Sequence, residues 1–105
     1  MTEEKKEEIR KILLDHIDEI GNKFDDFLCY QKYGKETFLA KGFQPTEEDY
    51  KIRKVYEAEE FSVAAQKIKE MGKEILPILE DLSQNESDLV IKDWASIILQ
   101  DMRKE

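Results

Sequence analysis

Apolar residues recur at steps of three or four along most of this chain. In the first third, Ile9, Leu13, Ile17, Ile20, Phe24, Phe27 and Leu28 form one such stripe, the mark of an amphipathic helix. Thr2 is placed to cap it, and Glu3 and Glu4 suit the positive end of its dipole. Gly21 keeps the phase of the stripe but costs about 1 kcal/mol against alanine inside a helix. A bend or short break is therefore expected there, with helix resuming to about Tyr33. This N-terminal helical stretch, 1–33, gives way at Gly34 to a connector, 34–46. Its Phe38, Leu39 and Phe43 are too apolar for a purely solvated loop. They either plug one end of a bundle, the preferred reading, or form a partner-binding loop, since exposed aromatics anchor interfaces.

Thr46 followed by Asp49 resembles a capping box. A long helix then spans 47–71, about 37 Å at 1.5 Å per residue, and Gly72 stops it. Its inward face is expected to be Ile52, Val55 and Tyr56 early, then Phe61, Ala64, Ala65, Ile68 and Met71. Glu57, Glu59 and Glu60 fall between the two sets and are expected to face mostly outward. The apolar face shifts near Glu59, so the two halves should pack on different neighbours.

Beyond Gly72, two short apolar segments flank a polar turn over 74–102. Pro77 has no N–H and crowds the carbonyl four residues back, so it belongs in a first helical turn. Ile75, Leu76, Ile78, Leu79 and Leu82 then point inward. SQNES reads as a turn, with Ser87 or Asp88 capping the last helix. The inner face of that helix is Val90, Ile91, Trp94, Ala95, Ile98 and Met102, with Trp94 turned toward the first helix of the pair. Arg103 and Lys104 suit its C-terminal dipole.

These elements predict an all-α fold: one helical domain, 1–105, a compact bundle of about four to five helices whose C-terminal pair is antiparallel. The chain has 105 residues, enough to enclose one core. Two prolines and four glycines leave little room for the tight turns of an all-β chain. The formal net charge is −8, and both halves are acidic: residues 1–60 carry 16 acids and 11 bases, and residues 61–105 carry 9 and 6. Neutralising phosphates takes clustered Lys and Arg, and so does holding an anionic membrane. Direct nucleic-acid binding and membrane adhesion are therefore not expected. An acidic surface steers a protein toward a basic partner, or serves solubility alone.

Cys29 is the only cysteine, which excludes an intramolecular disulfide and a cysteine-based metal cluster. The start, MTEEKKEEIRK, lacks the apolar core of a signal peptide. No stretch has the apolar length of a membrane helix, so a cytoplasmic location is expected.

The segment ILPILEDL, a polar turn, and LVIKDWASIIL together resemble a HEAT-type repeat unit. Such units pair two antiparallel helices: a Leu-rich first one, often with a proline, and a second that starts with Val and has small residues mid-face. Val90, Trp94 and Ala95 stand at the Val and Ala-Ala places of that pattern, whereas Ile91 stands where the family usually has arginine. The Arg–Asp ladder between repeats is therefore absent. About the last thirty residues are covered. The chain is also similar to small uncharacterised bacterial domains in which two longer helices precede one HEAT-like hairpin. A solenoid needs about three stacked units, so the resemblance implies a closed helical domain that binds other proteins.

No catalytic constellation stands out. His16, the only histidine, lies at the margin of the first stripe and reads as a boundary residue. It is thirteen residues from Cys29, about 20 Å along a straight helix, too far for a nucleophile pair. All-α nucleotide pyrophosphohydrolases bind magnesium through helical Glu-Glu-x-x-Glu and Glu-x-x-Asp motifs. Glu57 with Glu60, and Asp15, Asp18 and Glu19, resemble parts of these, but neither full motif occurs. No cofactor or metal is expected.

The function expected is that of an intracellular protein-binding module, in its concrete form an immunity or antitoxin-type protein that neutralises a basic partner. Its contacts would be Glu57, Glu59 and Glu60, with Glu47, Glu48 and Asp49 at the start of the same helix. The alternatives are a helical homo-oligomer with a structural or assembly role and, third, a magnesium-dependent all-α nucleotide hydrolase.

Overall fold

The computed structural model describes residues 2–104, without the side chains of Thr2, Asp26 and Phe27. The cap expected of Thr2 and the inward place expected of Phe27 lie outside the described residues. Among the described residues every regular element is helical. The fold is an all-α bundle.

Helix α1 (Thr2–Asn22) passes through Gly21 without the expected break. It continues as a π-helical segment (Lys23–Tyr30) and closes in one more turn, α2 (Gln31–Tyr33). Ile17, Ile20 and Phe24 pack on either side of Gly21, and that packing outweighs the small helix propensity of glycine. The π segment uses i→i+5 bonds, so its inner face steps from Phe24 to Cys29, both buried. A step of five lies outside the three-and-four periodicity, which pointed to Leu28 instead.

Gly34 takes φ 85°, where a side chain would be strained, and turns the chain into α3 (Lys35–Leu39), a short helix inside the connector. The long helix is α4 (Glu47–Lys69). Its capping box is complete: Asp49 N–H donates to Thr46 Oγ1 at 3.2 Å, and Thr46 N–H donates to Asp49 Oδ2 at 3.0 Å. A 3-10 turn (Lys73–Ile75) leads into α5 (Leu76–Asn85), with Pro77 in its first turn as expected. The polar turn is shorter than its composition suggests. Ser83 Oγ donates to the Glu80 carbonyl and Asn85 to Asp81, so both satisfy their side chains within the helix. Asp88 then caps α6 (Leu89–Lys104), its Oδ1 accepting from the N–H groups of Val90 and Ile91.

Helices α5 and α6 pack closely, and Arg103 near the end of α6 pairs with Glu80 of α5 at 3.5 Å. One core unites Ile9, Leu13 and Ile20 of α1, Ala64, Ala65 and Ile68 of α4, and the inner faces of α5 and α6. One expectation for α6 changes: Val90 is 44% exposed, while Ile91 is fully buried. Trp94 belongs to the core that α5 shares and sets its ring edge-on to Phe61 of α4, with centroids 5.2 Å apart.

The apolar contribution of α4 to this core comes from its second half alone. Its first half, with the π segment, α2 and α3, extends beyond the core, and the molecule measures 47 × 24 × 18 Å. The radius of gyration is 16.1 Å, against about 13 Å for a sphere-like chain of this length.

Trp94 joins α6 to α1 and α4, so truncating it leaves a cavity where three helices meet. Trp94→Ala is expected to lose about 3–5 kcal/mol of stability in urea denaturation. A midpoint close to wild type would place Trp94 outside the core.

Candidate functional site

Along α4, residues 49, 53, 56, 60 and 67 follow one another at helical steps and make a single seam against the N-terminal stretch. Four of the five are charged, and the fifth is Tyr56. The two carboxylates of the seam, Asp49 and Glu60, lie three turns apart and are both buried. This corrects the expectation that Glu60 and Asp49 are outward contact residues. They are internal anchors.

Glu60 receives two donors from the first helical stretch. Its Oε2 lies 2.6 Å from His16 Nδ1, and its Oε1 accepts from Lys23 Nζ at 2.8 Å. The other ring nitrogen, Nε2, is 3.0 Å from Lys67 Nζ. An ammonium can only donate, so Nε2 accepts and the proton of a neutral His16 sits on Nδ1, directed at Glu60. Burial opposes ionisation of Glu60, yet the hydrogen bonds from His16 and Lys23 outweigh it and hold the carboxyl below its usual range. Lys23 also lies over the Tyr56 ring, 5.8 Å from its centroid.

Asp49 is completely buried. Tyr33 donates to its Oδ2 at 2.5 Å and Lys32 to its Oδ1 at 2.9 Å, in addition to the capping bond from Thr46. Tyr33 first, then Lys32, drive its carboxyl far below the ordinary value, against the opposing effect of burial. The capping box thus has a second use: its acidic member also clamps the end of the first helical stretch. Between the two carboxylates, Arg53 lies over the Phe24 ring at 5.6 Å.

Glu57 sits on the flank of the seam. It pairs with Arg53 one turn earlier and lines a cleft together with Arg53, Ile17, Ile20, Val90 and Trp94. Glu57 and Glu60 therefore serve different partners and do not converge on a common point. Among the described residues no group of three or more His, Cys, Asp or Glu side chains is arranged to hold a metal ion. Burial first, then Asp25 and Asp49, push the Cys29 thiol up, which disfavours the thiolate that a nucleophile requires.

The acids that stay in solvent are Glu47, Glu48 and Glu59. They share α4 with Ile52 and Val55, which the periodicity had placed inside but which are 39% and 56% exposed, and with Val63, which it had left unassigned and which is 47% exposed. With Glu48 and Glu59 these residues form one outer stripe at helical spacing. Sequence reading missed it because the interface on the neighbouring flank is ionic and aromatic, and an apolar-periodicity rule cannot register such a seam. In the connector, Phe38 packs edge-on to Tyr30 (4.9 Å) and Phe43 to Tyr33 (5.3 Å), and the two phenylalanines meet at 5.5 Å. Leu39 does not join this cluster; it is 60% exposed.

Adjacent glutamates test the assignment. Glu60→Gln keeps the shape but removes the charge that two donors surround, and is expected to destabilise by about 2 kcal/mol; Glu59→Gln should stay within about 0.5 kcal/mol of wild type. The folded pKa of Glu60 is depressed, so its contribution is fully present above the unfolded value of about 4.3 and is lost as pH falls through the folded value. Urea denaturation from pH 7 to pH 3 should show the gap between wild type and Glu60→Gln closing below about pH 4. Equal effects of the two substitutions at pH 7 would contradict the buried placement. No known protein family, curated protein or solved structure matches this chain.

Proposed function

We propose that the protein is a protein-binding module that engages a basic partner through the outer face of α4. The observation that supports this most is the joint exposure of Ile52, Val55 and Val63 beside Glu48 and Glu59 on one helix face. Interfaces combine apolar contact with a polar rim, and exposed acids draw a partner of opposite charge. The contact set is accordingly Glu47, Glu48 and Glu59 with the aliphatic stripe. Glu57 flanks it, while Glu60 and Asp49 hold the scaffold. A HEAT-like reading of 74–102 fits the same class, since such hairpins serve as scaffolds for binding. An immunity or antitoxin-type protein that occludes a basic toxin is the concrete form. No helix among the described residues is long and apolar enough to cross a membrane.

Charge reversal has to spare Glu60, because a lysine there would face Lys23. Glu47→Lys, Glu48→Lys and Glu59→Lys together are expected to leave the circular dichroism unchanged and to abolish partner capture from the source cell at low salt. Ile52→Ser with Val55→Ser should weaken capture at every salt concentration. Equal capture by wild type and both variants, at low and high salt, would remove the α4 face from the account.

A further inference from the structure

Helices α1, α4 and α6 do not close completely on one another. Between them lies a cleft of about 170 Å³, lined by Ile17 and Ile20 of α1, Arg53 and Glu57 of α4, and Val90 and Trp94 of α6. An apolar cavity of about 150 Å³ accepts benzene, so this volume suits one bulky side chain. Three features set the cleft apart from a packing defect. Four of its six lining residues are aliphatic or aromatic, and one of these, Val90, stands half-exposed. Trp94 is held edge-on by Phe61, so that wall is fixed before anything enters. Glu57 accepts from Arg53, and a carboxylate with about four lone-pair sites has capacity left for a second donor.

We propose that this cleft is an anchor pocket for one leucine, isoleucine or phenylalanine side chain of a basic partner segment, with a neighbouring lysine or arginine pairing with Glu57. The choice of occupant rests on the basic-partner reading above. A second copy of this chain carries the same charge of −8 and is repelled at contact distance, as is an anionic membrane. A cationic segment with an apolar anchor matches both the charge of the surface and the chemistry of the cleft.

Trp94 is the only tryptophan, so its emission reports on the pocket directly. The probe is a synthetic 14-residue peptide of alternating Leu-Leu and Lys-Lys pairs, compared with an analogue of equal charge in which every leucine is alanine. The leucine peptide is expected to shift Trp94 emission saturably, and the alanine analogue to bind at least tenfold more weakly. Val90→Glu fits the first turn of α6, where the dipole favours an acid, and adds attraction for the peptide while removing an apolar wall. It is expected to lose at least tenfold in affinity. Equal binding of the two peptides, or wild-type affinity in Val90→Glu, overturns the pocket, even where the charge-reversed α4 variant weakens both peptides and so upholds the acidic face. Loss of binding in Val90→Glu with none in the charge-reversed variant supports the anchor and overturns the basic-partner reading. Concentration-dependent dimerisation in sedimentation that Val90→Glu abolishes overturns the assigned occupant in favour of a second copy.

Discussion

Ahead of its apolar core contacts, α4 is attached to the N-terminal helical stretch by two buried carboxylates, and much else in the structure follows from that. Asp49 and Glu60 are the only buried charged residues among those described. Burying a charge is costly unless donors surround it, and here each carboxylate receives at least two donors, among them a lysine from the first helical stretch. Among the described residues no buried side-chain polar atom is left without a partner. A satisfied network of this kind specifies one register between α1 and α4, because sliding either helix by a turn would strand both charges at once.

A polar seam also frees the apolar residues beside it. Had Ile52 and Val55 faced the N-terminal stretch, α4 would show a charged exterior and nothing more. Because Asp49, Arg53, Tyr56 and Glu60 take that place, the aliphatic side chains stand in solvent next to Glu48 and Glu59. The surface proposed for binding is thus a consequence of how the scaffold is held, and removing a seam carboxylate would disturb the scaffold without touching the contact surface.

The sequence showed these features to unequal degrees. The helices of the core, the capping box at Thr46, the place of Pro77 and the inner faces of α5 and most of α6 all follow from apolar spacing and local side-chain chemistry, and all are present. At Gly21 a bend or a short break was expected, and the helix runs through it unbroken because tertiary packing overrode a small propensity. The burial of Cys29 was hidden by a π-helical step that the usual periodicities do not contain. Ile52, Val55, Asp49 and Glu60 were assigned to the wrong sides for one reason: hydropathy sorts residues by type, whereas the burial of a carboxylate depends on donors supplied by His16, Lys23, Lys32 and Tyr33, which lie far away in sequence and are indistinguishable there from surface residues. Glu47, Glu48 and Glu59 were legible as exposed acids; the aliphatic stripe that completes their face was not.

Hydrogen exchange of the α4 backbone amides tests the central claim most directly. In Asp49→Asn, protection over residues 50–58 should fall toward that of a solvent-exposed helix, while residues 64–69 and the amides of α5 and α6, held by the apolar core, keep theirs. Unchanged protection over 50–58, or a loss spread evenly over the whole molecule, would contradict the account.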